Sequence, residues 1–407
     1  MELTLLGTGA PGGLPRPDCP CAVCAAAASG RSLSRAATAL LVDGTLLLDL
    51  TPGPAFAAAR AGKSLQGVRQ VLLSHPHDGP AMEIPAGLPA PVRVSERQEL
   101  ALISGHRVRA VALDSPGTGY QVTGPGGECV LYLPPGAAPA GLEDGRDGAQ
   151  ASFTYDMVLL DVLGRPDALA KLREAGSVGP STDVLAVHIG HDVFPGQELH
   201  RRLAAAGAHT EPDGTTLVVG EYPEVPEVPR RTLVLGGARS GKSVEAERRL
   251  ESFPGVVYVA TGGTREGDPE WAARVSAHKE RRPPSWRTRE TCDLVPLLEE
   301  AGPPLLVDCL ALWLTDAMDR AGAWDDDRWR INGSRMVEER VGQLLGAVRR
   351  TRRTVVAVSN EVGSGVVPET SSGRRFRDEL GRLNAAFAGE CEHVLLVTAG
   401  VAQPLRG

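Results

Sequence analysis

Aromatic side chains are scarce in this chain: Phe, Tyr and Trp make up 4% of its 407 residues. Any core must therefore be built from Leu, Val and Ala, and a hydrophobic content of 42% is enough for that. Positive charge is not in excess. The formal net charge is -7, which argues against a nucleic-acid or anionic-membrane surface, so no nucleic-acid partner is expected. No apolar run approaches the ~18 residues of a membrane span, and the N-terminus lacks a basic stretch followed by an apolar one. The expectation is a cytoplasmic protein without a membrane span. Cysteines are few, and three of the seven crowd into Cys19–Cys24. In a cytoplasmic chain that clustering points to metal rather than disulfides. The length is generous for one domain and comfortable for two.

What is present is a strong phosphate-binding signature. Gly236, Gly237, Ala238, Arg239, Ser240, Gly241, Lys242 and Ser243 spell G-x-x-x-x-G-K-S. An apolar run, Thr232 to Leu235, precedes it, and a helix-like segment, Val244 to Leu250, follows. In that strand–loop–helix setting the glycines let backbone N–H groups curl inward around an anion. Lys242 would reach the outer phosphates, and Ser243 would offer a hydroxyl to Mg²⁺. A nucleoside triphosphate is the expected ligand.

Residues 1–220 read as many short strands with few helices. Asp43-Gly44, flanked by Ala39–Val42 and Thr45–Leu50, is a hairpin signal. Further strands are expected at Leu3–Leu6, Val68–Ser74, Val92–Val94, Val108–Leu113, Tyr120–Val122, Cys129–Leu133, Val158–Asp161, Val184–His188 and Thr216–Val219, with helices at Pro166–Ala175 and Pro195–Ala206. That balance suggests a layered, β-rich α/β sandwich. Cys19, Cys21 and Cys24 form C-x-C-x-x-C; the three thiols either face one tetrahedral Zn²⁺ with a further ligand or are unrelated side chains of a Pro-rich loop. His75 and His77 close one apolar strand, and His188 and His191 close another. Two imidazoles on the same side of a strand end suit a metal, but histidines beside a turn are also common on surfaces.

Together these features resemble the metallo-β-lactamase superfamily, and within it the phosphodiesterase branch of phosphonate breakdown. The resemblance implies an αββα sandwich. It assigns a structural Zn²⁺ to Cys19, Cys21, Cys24 and His191, and it places His188 with His75 and His77 in a residual metal centre. The family writes its catalytic motif H-x-H-x-D-H. Here the aspartate and third histidine fall on Gly79 and Pro80. There is no histidine near Leu113-Asp114-Ser115 and no carboxylate in Leu133-Pro134-Pro135. A two-metal hydrolase needs ligands for both ions. The expectation is a zinc-stapled, non-hydrolytic relative.

Residues 221–230 are rich in Pro and Glu, which stiffen and extend a chain, and are taken as the linker. From 231 to 407 the pattern becomes continuous apolar strands alternating with helix-length segments, as in a mostly parallel sheet. The strands are Thr232–Leu235, Val256–Ala260, Leu305–Cys309, Thr354–Val358 and Val394–Val397. In such sheets ligands gather beyond the carboxyl ends of the strands. Those ends hold the phosphate loop, Thr261-Gly262, Asp308 and Asn360-Glu361. Asp308 suits the Mg²⁺-side carboxylate. A helix is expected from Asp268, an N-cap, to Arg282 before Pro283-Pro284. It carries His278 beside Lys279, Arg281 and Arg282. Such an imidazole is either a solvated residue of a basic helix or, kept neutral by nearby cations, a nucleophile.

The second half resembles adenosylcobinamide kinase/adenosylcobinamide-phosphate guanylyltransferase. The resemblance rests on the phosphate loop, Tyr258-Val259-Ala260-Thr261, His278-Lys279 with Arg282-Pro283, Trp286-Arg287-Thr288 with Glu290, Val307-Asp308-Cys309-Leu310, Ser359 to Glu369, and Phe376-Arg377-Asp378 with Gly381 and Asn384. It implies phosphorylation of adenosylcobinamide from ATP or GTP. Transfer of GMP from GTP, through a GMP–histidine at His278, to the phosphorylated corrinoid would follow. It also implies that Thr261, Gly262, Lys279, Arg282, Glu290 and Asp308 hold nucleotide or Mg²⁺, and that the protein is a homo-oligomer. A single-activity kinase, or a nucleotide-dependent regulator with a hydrolytic first domain, is the alternative. The acidic stretch Trp324–Trp329 has no assigned role.

Overall fold

The computed structural model describes residues 1–407 apart from 31, 77–83, 96–97, 141–152, 222–227, 264–275 and 277–278. Two compact units emerge, Met1–Val228 and Pro229–Gly407. The Pro- and Glu-rich run spans that division, and most of it lies outside the described residues.

In chain order the first unit contains β1 (Glu2–Gly7), α1 (Ala22–Ser29), β2 (Ala39–Val42), β3 (Leu46–Leu48), α2 (Pro54–Arg60), β4 (Gln70–Leu72), β5 (Glu99–Ala101), β6 (Arg107–Val111), β7 (Gly119–Thr123), β8 (Cys129–Tyr132), β9 (Met157–Leu160), α3 (Pro166–Glu174), β10 (Asp183–Ala186), α4 (Gln197–Ala205) and β11 (Thr216–Val218). One sheet runs β11-β1-β2-β3-β4 and the other β10-β9-β8-β7-β6-β5. Asp43 and Gly44 both take positive φ, 43° and 65°, and Thr45 N–H bonds the Val42 carbonyl at 2.9 Å, closing the expected hairpin.

The period of two along each strand sorts side chains into layers. Leu3, Leu5, Leu40, Val42 and Leu48 face Tyr120, Val122, Tyr132 and Leu159 between the sheets. The alternate residues Leu6, Leu41 and Leu47 pack outward under Ala58 of α2. On the far side Leu131, Val158 and Ala186 are covered by α1, α3 and α4 through Ala27, Leu169, Leu172, Leu199 and Leu203. The layers are therefore helix, sheet, sheet, helix. The expected strand at Val92–Val94 is reduced to one bridge, Val92 to Leu72. Expected strand ends are trimmed elsewhere, and β5 was not anticipated because Glu99 and Ala101 are exposed.

The second unit contains β12 (Arg231–Gly236), α5 (Lys242–Arg248), β13 (Val257–Ala260), β14 (Arg287–Glu290), α6 (Val295–Glu299), β15 (Leu305–Asp308), α7 (Leu310–Arg320), α8 (Ser334–Arg350), β16 (Val355–Asn360), α9 (Ser371–Gly389), β17 (His393–Thr398) and β18 (Val401–Arg406). Its sheet runs β14-β13-β15-β16-β12-β17-β18, parallel throughout except for β17 with β18. The five anticipated strands are the inner ones, buried by helices on both faces. The two edges were missed: Arg287-Thr288-Arg289-Glu290 is exposed at every position, and β18 nearly so, so neither shows an apolar run.

The turn from β12 into α5 is closely packed. A Cβ on Gly236 would lie 2.4 Å from Ser240 Oγ and 2.7 Å from the Val397 carbonyl oxygen. Gly400 N–H bonds the Ser240 carbonyl at 2.8 Å, and Glu361 N–H bonds the Gly236 carbonyl at 3.1 Å. Gly236→Ala is expected to destabilise the second unit by about 1–3 kcal/mol, since the obstructing atoms include backbone. A urea unfolding midpoint unchanged from the parent would contradict this.

Candidate functional site

At the carboxyl ends of β12, β13, β15 and β16 the second unit opens into a cavity of about 740 Å³. Ala238, Arg239, Ser240, Gly241, Lys242 and Ser243 line it. Gly236 and Gly237 do not; the first is the buried base of the loop, and the second offers its carbonyl to Lys242 Nζ at 3.0 Å. Arg239 and Gly241 hold the curl with φ of 58° and 97°. Gly262, Lys279, Arg282, Glu290 and Asp308 also line the cavity.

Thr261 departs from its expected role. It is buried, and its hydroxyl donates to the Cys309 carbonyl at 2.7 Å while accepting from Cys309 N–H at 2.8 Å. It therefore ties β13 to the end of β15 and does not face the cavity. His278 lies outside the described residues, as does most of the helix expected from Asp268. The residues just after it, Lys279 and Glu280, are helical, and Lys279 is at the cavity wall.

Tyr258 is a lining residue that received no individual role from the sequence. Its hydroxyl donates to Asp308 Oδ2 at 2.8 Å, and the Arg282 guanidinium sits over its ring, 3.2 Å from the centroid. Burial, reinforced by the Asp308 charge, pushes the phenol well above its ordinary range, so the hydroxyl stays a donor. Arg282 also donates to Thr288 Oγ1 at 3.1 Å, and Arg281 pairs with the buried Glu247 at 3.3 Å. Asn384, buried on α9, accepts from Ser359 Oγ at 2.6 Å and donates to the Asn360 carbonyl at 3.0 Å, fixing the end of β16. In the sequence Tyr258 and Asn384 stood out only as members of the family motifs. Arg239, Lys242, Lys279, Arg281 and Arg282 outnumber Glu290 and Asp308 around the cavity. That charge balance suits a polyphosphate.

In the first unit the three cysteines meet His191. Its Nδ1 lies 3.3, 3.7 and 3.4 Å from the sulfurs of Cys19, Cys21 and Cys24. The edge between sulfur and nitrogen of a zinc tetrahedron is about 3.6 Å for ordinary bond lengths. Cys24 N–H donates to Cys21 Sγ and Arg16 N–H to Cys24 Sγ, both at 3.4 Å. The Cys24 N–H leads the causes that pull the Cys21 thiol down to about 6, toward the thiolate a metal requires. Among the described residues this is the one group of three or more His, Cys, Asp and Glu whose ligand atoms lie close enough to share an ion.

His75 and His188 stand apart from it, with ring centroids 6.4 Å from each other, in a cavity of about 1140 Å³. His77 is outside the described residues. His188 Nε2 lies 3.0 Å from the Leu133 carbonyl and must carry the proton, which leaves Nδ1 with the lone pair. Burial holds this imidazole neutral, its pKa down to about 4. His75 Nδ1 is 2.9 Å from Ser74 Oγ and 3.5 Å from Asp49 Oδ2. Asp49 was not singled out from the sequence, where it reads as the end of a hairpin strand. It is fully buried and accepts from Ser74 N–H, Ser74 Oγ and Tyr132 OH at 2.7, 2.5 and 2.6 Å.

Residues 232–405 match the family model of cobinamide kinase/cobinamide phosphate guanyltransferase. The chain is similar to the bifunctional adenosylcobalamin biosynthesis protein CobP of Pseudomonas aeruginosa, 44% identical over 183 residues, covering 44% of this chain and 98% of that one. It is also similar to the bifunctional adenosylcobalamin biosynthesis protein CobU of Salmonella typhimurium, 38% identical over 180 residues, covering 42% and 96%. Among solved structures, zinc-bound PqqB from Methylobacterium extorquens covers 54% of this chain and all of its own at 18% identity, with a TM-score of 0.39. A diphosphatase of the PhnP family covers 56% and 99% at 20% identity, also with a TM-score of 0.39. Neither structural score adds to the layer order described above. No helix among the described residues is long and apolar enough to cross a membrane. Through its second unit the chain belongs to the cobinamide kinase/cobinamide phosphate guanyltransferase family.

Proposed function

We propose that the cavity of the second unit carries both reactions of the family, with the phosphate loop serving each in turn. The observation that carries this reading is convergence: Lys242, Ser243, Lys279, Arg282, Glu290 and Asp308 line one cavity, and Lys279 directly follows His278 in the chain. In the first reaction the aminopropanol hydroxyl of adenosylcobinamide attacks the γ-phosphorus of ATP or GTP, and the nucleoside diphosphate leaves. Lys242 and the loop amides hold the phosphates in line and offset the charge that develops. In the second, a neutral His278 nitrogen attacks the α-phosphorus of GTP. A nitrogen–phosphorus bond forms, the α–β phosphoanhydride breaks, and pyrophosphate departs. An oxygen of the corrinoid phosphate then attacks the same phosphorus and displaces the imidazole, giving adenosylcobinamide-GDP. Mg²⁺, held by Ser243 and Asp308, would neutralise phosphate charge when bound. Glu290 is read as a contact to the guanine nucleotide. A cytoplasmic homo-oligomer is part of the same reading.

For the first unit we propose a structural Zn²⁺ on Cys19, Cys21, Cys24 and His191. Four protein ligands close a tetrahedron and leave no open position for substrate. His75, His77 and His188 would be the remnant of a second centre. Gly79 and Pro80 supply no ligating side chain, so nothing there would clamp both attacking and leaving oxygens of a phosphodiester. The role of this unit would be as scaffold, partner surface or corrinoid-binding surface rather than hydrolase.

Lys242→Ala should cut phosphorylation of adenosylcobinamide by on the order of 10²-fold or more, as expected when a preorganised charge on the transferring phosphate is removed. His278→Ala should leave that phosphorylation largely intact but stop formation of adenosylcobinamide-GDP, followed by chromatography of the corrinoids. Near-normal kinase turnover of the lysine variant would sink the phosphate-loop assignment, and continued GDP-product formation by the histidine variant would move the nucleophile elsewhere.

Zinc analysis of the full chain should find one tightly held ion per protein, lost in Cys21→Ser. Equal zinc in parent and variant would contradict the four-ligand site. With zinc or manganese supplied, hydrolysis of an aryl phosphodiester should stay at background. Metal-dependent turnover abolished by His77→Ala would overturn the non-hydrolytic reading.

A further inference from the structure

Asp308 and Arg282 reach the nucleotide cavity from different parts of the chain, and one side chain touches both. Tyr258 projects from β13 beside β15, where Ala260 pairs with Asp308 and Tyr258 with Leu306. Its hydroxyl donates to Asp308 Oδ2 at 2.8 Å, and its ring carries the Arg282 guanidinium at 3.2 Å. The residue is 4% exposed, yet it lines the cavity. A phenol can do both jobs at once, because hydrogen bonding uses its edge and the cation uses its face. Neither Phe nor Leu would keep both contacts.

The arrangement constrains each partner. A carboxylate at the end of a strand can rotate about its terminal torsion, which has a broad minimum. A donor fixed on one oxygen restricts that freedom in a carboxylate that lines the cavity. Arg282 is held by stacking on Tyr258 and by the bond to Thr288 Oγ1, while its buried Nε has no hydrogen-bond partner among the described residues. A buried unpaired guanidinium N–H is costly, and an anionic ligand oxygen would satisfy it.

We propose that Tyr258 is a positioning residue for both reactions: it orients the Asp308 carboxylate toward the divalent cation and seats Arg282 for the nucleotide phosphates. The first part rests on the reading of Asp308 as the metal-side carboxylate. The phenol itself takes no part in bond making. It acts by presetting two groups that would otherwise be ordered only when substrate binds.

The test uses the full-length protein and three variants, Tyr258→Phe, Tyr258→Leu and Asp308→Asn, assayed for adenosylcobinamide phosphorylation across Mg²⁺ and GTP concentrations. Phe keeps the platform and loses the hydroxyl. It should raise the Mg²⁺ needed for half-maximal rate about 5- to 10-fold, the net worth of a typical hydrogen bond, with kcat at saturating Mg²⁺ within about twofold of the parent. Leu should add a rise in KM for GTP of similar size, because Arg282 loses its seat. In the Asp308→Asn background Tyr258→Phe should change the Mg²⁺ requirement no further, since the two changes remove one interaction. Circular dichroism and a thermal midpoint identify a variant that has simply lost its fold, and Phe, nearly isosteric, keeps the test open if Leu fails to fold. A parent-like Mg²⁺ requirement in Asp308→Asn would refute the reading of Asp308. A shift in Asp308→Asn without one in Tyr258→Phe would refute the positioning role alone. An additive double variant, or a Leu variant with KM for GTP equal to that of Phe, would refute the corresponding half of the proposal.

Discussion

The second unit depends on how closely its backbone passes itself between β12 and α5. Gly236 is pressed against Ser240 and the Val397 carbonyl, and a Cβ on Gly241 would meet Gly400 Cα at 3.3 Å. Hydrogen bonds from Gly400 to Ser240 and from Glu361 to Gly236 pin the same turn to the loop between β17 and β18 and to the residue that follows β16. The loop is therefore a shape imposed from three neighbouring strands, rather than a flexible segment that a ligand must organise. Side chains there serve the loop by being absent, and the cavity is what remains. Such preorganisation matters because phosphoryl and nucleotidyl transfer require little covalent help from the protein and much fixed electrostatics.

The sheet then decides what surrounds the loop. The chain leaves β12, lays down strands on one side, and crosses to the other at β17. Parallel order points the ends of β13, β15 and β16 the same way as β12, so Tyr258, Asp308 and Asn360 arrive at one cavity from separate stretches of sequence. Thr261 shows the cost of holding that geometry. Its hydroxyl is occupied with the backbone of Cys309, and it supports the rim without contributing to it. The acidic stretch near Trp324 is likewise engaged structurally: Asp325 caps a short helical turn, and Arg375 of α9 bonds Asp326 and stacks on Trp329.

Much of this was legible in the sequence. The phosphate loop was, because its glycines and lysine carry geometry and charge in one short motif. So were the inner strands, because burial on both faces demands unbroken apolar runs. The cysteine cluster was visible by spacing, and the distant His191 entered through family resemblance and was then found beside it. What escaped was of two kinds. The edge strands β5, β14 and β18 carry no apolar run, since solvent meets one side of each. Tyr258, Asp49 and Asn384 act through partners far away in the chain, and a lone buried Tyr, Asp or Asn has no periodicity to betray it. Val92–Val94 failed in the opposite sense, since β-branched residues suggested a strand where only one bridge forms.

The central claim is that one cavity both phosphorylates a corrinoid and carries GMP on a histidine. The most direct measurement is the intact mass of the purified full-length protein after incubation with GTP and Mg²⁺ and no corrinoid. The account predicts a species heavier by a single guanylyl group, discharged when adenosylcobinamide phosphate is added. A protein that turns over corrinoid yet never shows that mass shift would contradict it.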